Sequence, residues 1–264
     1  MKKFFSLIKR ELDDYKILLR SVPSMTVTIF TVSVVCANLM ANKELISFKY
    51  LALDCGFAFS WLMFLCMDVI CKRWGAKAAI KVSSLALFVN LTVCISFKLL
   101  ALTSGMWGEF YATGDIDVNN ALNATFGESW YVVFGSSLAF AVSSVANAVL
   151  NCAAASFVKT SGFKEFAFRS YTSTIAAQFI DNLVFSAVVS KTLFGWTWTQ
   201  IFVCSATGAV FELLCEVLFS LAGYKIVCEW EKDNVGKDYF DRIKICASNA
   251  KSANMKSAAR KNAK

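Results

Sequence analysis

The chain has 264 residues, 57% of them hydrophobic and only 17% charged, with a mean hydropathy of +0.54. That is more apolar surface than a soluble domain of this length can bury, so a water-soluble globular protein is excluded and lipid becomes the main solvent. The net charge of +8 has no interleaved aromatic and basic pattern beside it, which argues against a nucleic-acid partner, and the absence of histidine excludes His-dependent triads, metal sites and proton relays.

A bilayer core about 30 Å thick needs roughly 20 apolar residues per helix. Residues 1–22 are polar and basic and lack a small-residue cleavage pattern, so they read as an uncleaved cytoplasmic segment. Six apolar blocks follow, about Pro23 to Ala41, Leu51 to Cys71, Val82 to Thr103, Ser129 to Ala155, Thr172 to Ser190 and Thr199 to Gly223. Stretches such as AFSWLMFLCMDVIC are apolar on every face, which is the pattern of helices and not of a membrane β-barrel. The single proline, Pro23, opens the first block, where a missing N–H costs nothing. Residues 23–223 therefore form the expected membrane domain. Residues 224–264 form a basic tail, expected to be helical near EWEKDNVGKDYFDRIK and disordered beyond it.

Charge sets orientation. Of the 27 Lys and Arg, 23 fall on one side of the six-block plan, and only Lys43, Lys49, Lys98 and Lys191 lie near the other. The longest loop on that other side, GMWGEFYATGDIDVNNALNATFGE, has no Lys or Arg. The positive-inside rule then predicts an all-α integral membrane protein with six transmembrane helices and both termini in the cytoplasm. Ten cysteines, among them Cys36, Cys66, Cys94, Cys204 and Cys215 within blocks, include no C-x-x-C pair, so they read as small apolar fillers. No cofactor or metal is expected.

Polar residues inside the blocks carry what functional signal there is. An ionisable group at mid-bilayer costs about 2.5 to 3.5 kcal/mol on insertion scales, so each one suggests an interior-facing site. Asn38 and Asn42, Asn147 and Asn151, Gln178 and Asp181, and Glu212 and Glu216 recur three or four residues apart, each pair on one helix face. Four helices thus present polar stripes, expected to turn towards a shared centre. Asn42 and Asn151 are near block ends, where headgroup water can meet them. Asp68 lies beside Lys72 and Arg73, so a salt-bridged anchor and a substrate contact are both open for it. Glu212 above Glu216 stacks like charges unless a cation, a proton or a basic partner lies between them. Asp181, near mid-span, is the best functional candidate. A-N-x-x-x-N occurs at Ala37 to Asn42 and again at Ala146 to Asn151, followed by Asp68 and Asp181 respectively. With three spans per half, this echo suggests a 3+3 inverted repeat, a plan common in secondary transporters.

At these residues the chain resembles the queuosine precursor transporter family, also called the VUT family. The resemblance rests on ANLMANK (Ala37 to Lys43), MDVICKRWGAKAA (Met67 to Ala79) and FRSYTSTIAAQFIDNLVF (Phe168 to Phe185). In the third stretch Arg169, Ser173, Thr174, Gln178 and Asp181 follow the family order. The resemblance implies a multi-pass importer of 7-deazaguanine bases in the bacterial inner membrane, not an enzyme. The chain departs from the family pattern at Ser144 and Asn147, where a Gln-x-x-Asp is common, and at Glu212, where a lysine is usual. A 7-deazaguanine presents N1–H and a 2-amino group side by side, which a carboxylate can accept in a bidentate pair, and an O6 that an amide can donate to. Asp181 with Gln178 or Asn38 supplies that set. Glu216, Asp68 and Asn147 are further candidates, and Trp61 or Phe185 could stack on the ring.

A stand-alone transporter, with or without a coupling ion or proton and as a monomer or homodimer, is the first expectation. The alternative is the substrate-binding membrane subunit of an ATP-driven (ECF-type) uptake system, docking through the small Ala37-x-x-x-Ala41 face. No Walker motif exists, so a partner would have to supply ATP use. An intramembrane aspartyl enzyme built on Asp68 and Asp181 is the least favoured class, because neither aspartate is flanked by a Gly-x-Gly-Asp type turn.

Overall fold

The computed structural model describes residues 2–108, 113–128, 130–158 and 161–243. Helix α1 (Lys2–Ser21) meets α2 (Ser24–Met40) at Pro23, and the chain bends there by 102° between Glu11–Ser21 and Ser24–Met40. A β-hairpin of β1 (Glu44–Phe48) and β2 (Leu51–Asp54) leads into α3 (Phe57–Trp74), which a single glycine joins to α4 (Ala76–Ala101). Gly75 has φ +86°, a left-handed value that lets the chain reverse without a linker. A short helix α5 (Ile116–Asn123) and a π turn (Ala124–Glu128) precede α6 (Trp130–Ala154). Helix α7 (Phe163–Phe185) continues through a π turn (Ser186–Ser190) into α8 (Lys191–Phe194). Helix α9 (Trp198–Lys232) starts at a capping box in which the Thr197 side chain and Gln200 satisfy each other's backbone N–H groups.

Successive long helices run in alternate directions. At one end of the bundle Lys72 of α3 bonds Glu165 of α7 at 2.6 Å, Trp74 packs on Trp230 of α9 at 5.1 Å, and Tyr15 of α1 donates to the Lys81 carbonyl of α4. At the other end Tyr131 of α6 donates to the Val188 carbonyl at 2.8 Å, and Thr207 of α9 donates to the Tyr50 carbonyl of the hairpin at 3.1 Å. The first end is basic, with Lys72, Arg73, Lys77, Lys81 and Arg242; the second is the hairpin end. Helix α7 packs between α6 and α9.

Among the described residues four helices are long and apolar enough to cross a membrane, or five if the bent pair of α1 and α2 counts as one. Their outer faces are apolar and exposed. On α6, Phe134, Leu138, Val142, Val145 and Val149 recur at helical spacing and stay exposed, while Phe140, Ser143, Asn147 and Asn151 on the other face are buried. A helix apolar outside and polar inside is the arrangement of a membrane bundle. The chain is thus an α-helical membrane protein carrying one small hairpin.

Several expectations change at this level. Leu51 to Asp54, counted as the start of the second span, is strand β2, so α3 begins at Phe57. Helix α3 has 18 residues and carries Asp68, Lys72 and Arg73, and α2 has 17, so neither reaches the length and apolarity of the other spans alone. Residues 1–22, read only as polar, contain helix α1, from which Tyr15, Ile17 and Leu18 meet the bundle, with Leu18 and Val22 buried. Helix α9 runs nine residues past Gly223; at 1.5 Å per residue its 35 residues span ~50 Å and overshoot a ~30 Å hydrocarbon core. A second helical stretch, 237–243, follows a turn. The disorder expected further along the tail lies outside the described residues.

Candidate substrate cavity and the buried polar network

The polar stripes of α6, α7 and α9 face inward, as their helical spacing requires, but they divide into two groups at different depths. Towards the hairpin end a cavity of about 130 Å³ opens between α2, the hairpin, α3, α6, α7 and α9. Its polar lining includes Asn38, Asn42, Glu44, Asp54, Asp181, Asn182 and Glu212, and Phe57, Phe140, Phe185, Phe194 and Trp196 form its aromatic wall. Among the described residues that line it there is no Lys or Arg.

Each polar group of the wall has a definite setting. Asp181 Oδ1 accepts from Ser143 Oγ at 2.6 Å. Glu212 accepts from Ser60 Oγ at 2.5 Å and from Asn182 Nδ2 at 3.1 Å. Ser136 Oγ donates to Asn38 Oδ1, which leaves Asn38 Nδ2 buried with no hydrogen-bond partner. A buried donor without an acceptor costs about 1 to 3 kcal/mol, so a ligand acceptor placed there would be strongly held. Asp54 closes the hairpin and accepts from the Gly56 N–H at 2.7 Å, turning the chain into α3. Burial pushes the Asp54 carboxyl up to about 6, against the backbone N–H groups of Gly56 and Phe57, which pull it down. Sequence reading missed Asp54, Ser60 and Asn182. Only Asp54 gave a signal, as a carboxylate four residues into an apolar block.

Towards the basic end the polar side chains pack against one another. Asp68 is fully buried and accepts from Asn147 Nδ2 at 2.7 Å, Ser170 Oγ at 2.5 Å and Thr174 Oγ1 at 3.2 Å. It bonds neither neighbouring cation: Lys72 pairs with Glu165, and Arg73 donates to the Val235 carbonyl at 2.7 Å and stacks on Phe240. Ser170 Oγ also contacts Glu216 Oε1. Asn151 is fully enclosed, its oxygens taking the Arg169 guanidinium at 2.9 and 3.2 Å, so headgroup water does not meet it. Arg169 in turn bonds Glu165 at 3.2 Å, completing a Lys72–Glu165–Arg169 tie between α3 and α7.

The sequence-predicted residues are therefore split. Asn38 and Asp181 share the cavity, whereas Asp68, Asn147 and Glu216 sit together in the closed network. Glu212 and Glu216, stacked on α9, belong to different groups: Glu212 bonds Ser60 and Asn182, and Glu216 contacts Ser170. Gln178 is fully buried between the two levels, and neither its Nε2 nor its Oε1 has a partner. Trp61 stacks on Phe219 at 4.5 Å and does not line the cavity; Phe185 does. Ala37 and Ala41 line the cavity too, which turns that small-residue face inward and away from any docking subunit. Asp68 and Asp181 lie in separate groups, as a two-aspartate enzyme site would not.

A family model described as putative vitamin uptake transporter matches residues 54–226. The match starts at Asp54 in the hairpin and takes in both polar groups apart from Asn38. No curated protein and no solved structure matches the chain.

Proposed function

The chain belongs to the vitamin uptake transporter family, and on that premise we propose that it imports a queuosine precursor, a 7-deazaguanine base, across the bacterial inner membrane. The observation that carries this reading is the unpartnered Asn38 Nδ2 in the same cavity as the Asp181 carboxylate. The carboxylate accepts the N1–H and 2-amino pair of the base, Asn38 donates to its O6, and the phenylalanine faces flank the ring. A cavity with Lys or Arg in its wall would suit an anionic vitamin; this wall is acidic.

The same reading includes six spans with cytoplasmic termini, α2 and α3 being the two short ones. Lys72, Arg73, Lys77 and Lys81 gather at one end, so by the positive-inside rule the cavity faces outward. At the basic end the Asp68 network and the Lys72–Glu165–Arg169 tie join α3, α6 and α7, which on this reading corresponds to an outward-open state. Nothing in the geometry favours an ATP-driven partner, since the alanine face proposed for docking lines the cavity.

Titrating purified protein with a 7-deazaguanine, guanine and adenine tests the site. The deazaguanine should bind, and adenine, which lacks the N1–H and O6 edge, should not. Asp181→Asn keeps shape but replaces one acceptor oxygen by an N–H₂ donor, so affinity should fall by about 1 to 3 kcal/mol, roughly tenfold to hundredfold, with melting unchanged. Unchanged affinity with altered melting would remove Asp181 from the site.

A further inference from the structure

Ser170 is asked for more hydrogens than it has. Its Oγ lies 2.5 Å from Asp68 Oδ2 and also contacts Glu216 Oε1, while a serine hydroxyl has one O–H to donate and lone pairs with which to accept. With both carboxyls ionised, one of those contacts would press lone pairs together in a fully buried place. One carboxyl must therefore hold a proton and donate it to Ser170.

The surroundings choose which. Asp68 accepts from Asn147 Nδ2 and Thr174 Oγ1 besides Ser170, and several donors favour an ionised carboxylate. Glu216 Oε2 is buried with no partner, a setting that a neutral acid tolerates far better than an anion. Glu216 O–H thus donates to Ser170, and Ser170 O–H donates to Asp68.

Among the described residues, the neighbouring cations are engaged elsewhere. From α7, Arg169 bonds Asn151 and Glu165; from α3, Lys72 bonds Glu165; from α9, Glu212 one turn outward bonds Ser60 and Asn182. Cys71 of α3 and Cys152 of α6 meet each other at 3.5 Å.

An independent feature points to a guest passing this way. Gln178 is fully buried with both polar atoms unpartnered, and it lies one turn from Thr174 on one side and three residues from Asp181 on the other. Asn147 Oδ1 is likewise buried and unpartnered. Polar groups in that state mark a route for water or hydronium between the cavity and the acid pair.

We propose that Asp68 and Glu216, bridged by Ser170, form a binding site for one proton, loaded from the outer cavity and released at the basic end as substrate moves inward. The O–H bond forms on Glu216 with a proton from cavity water and breaks to cytoplasmic water, so one proton crosses per cycle. The coupling half of this proposal rests on the transport reading; the proton site itself does not.

Infrared difference spectroscopy on the purified full chain separates the two. Subtracting Glu216→Gln from wild type at neutral pH should show the band of a protonated carboxyl, and Ser170→Ala should shift it by removing the acceptor. A flat difference spectrum from folded variants would overturn the site whether or not any base is transported. In proteoliposomes an inward proton gradient should speed wild-type uptake about tenfold, while Glu216→Gln loses that response and keeps base affinity within about twofold. Loss of base affinity in Glu216→Gln would place Glu216 in the substrate site and overturn the proposal. Should Glu216→Gln fail to fold, the Ser170→Ala band shift and its gradient response decide in its place: both unchanged would overturn the proposal.

Discussion

Asp54 shows how much a single carboxyl at the cavity rim controls. Burial raises it to about 6, above the ordinary value of 3.8 that it would have in the unfolded chain. Because the folded value is the higher one, the stability it contributes is fully present below pH 3.8 and is lost as pH rises through about 6. A displacement of that size corresponds to at most ~3 kcal/mol. Asp54→Asn, which still offers an oxygen to the Gly56 N–H, should raise the melting temperature at pH 7.5 and flatten its dependence between pH 5 and 7.5. Melting curves across that range that match wild type would show Asp54 to be solvated and unperturbed. At this scale the sequence was partly legible. Asp181 and Asn38 stood out because a polar group inside an apolar block is expensive. Asp54 carried the same signal more weakly, because only the short apolar run Leu51-Ala-Leu precedes it in its block. The separation of Glu212 from Glu216 was hidden because it depends on which neighbouring helices offer Ser60, Asn182 and Ser170, residues 30 to 152 positions away.

The elements were legible wherever helical period and length decide. The blocks at Pro23 to Ala41, Val82 to Thr103 and Ser129 to Ala155 agree with α2, α4 and α6 to within a few residues at most ends. The hairpin was not legible, because its second strand, Leu51–Asp54, reads as the start of the apolar block that runs on into α3, and the turn residues Lys49 and Tyr50 include no glycine or proline. Packing at close crossings was equally invisible. At Gly135 an added Cβ would stand 2.3 Å from Val189 Cγ2, so α6 and the π turn after α7 touch through a glycine. That contact fixes the cavity wall, since Val189 lines it. Gly135→Ala should therefore destabilise by about 1 to 3 kcal/mol through overpacking, although alanine favours a helix by up to ~1 kcal/mol. Restoring space with Val189→Ala in the same chain should recover part of the loss. A Gly135→Ala variant that melts at or above wild type would mean that the two segments move apart freely.

For the molecule as a whole, the two polar groups would be counterparts if the halves form the 3+3 inverted repeat that the sequence echo suggests. The Ala-Asn-x-x-x-Asn echo relates Asn38 to Asn147, and the acids that follow relate Asp181 to Asp68. Asn147 donates to Asp68 at 2.7 Å in the closed group, while Asn38 and Asp181 stand apart across the open cavity. Exchanging the halves' conformations would bring Asn38 onto Asp181 and open the Asp68 side, which is the alternation that an importer needs. The central claim is that this single chain carries a 7-deazaguanine base through that cavity. The most direct test is uptake of a radiolabelled 7-deazaguanine by proteoliposomes containing only this protein. The expected result is saturable accumulation that excess unlabelled base abolishes and that Asp181→Asn slows about tenfold or more at subsaturating base. Folded wild-type protein that takes up the base no faster than empty vesicles would contradict it.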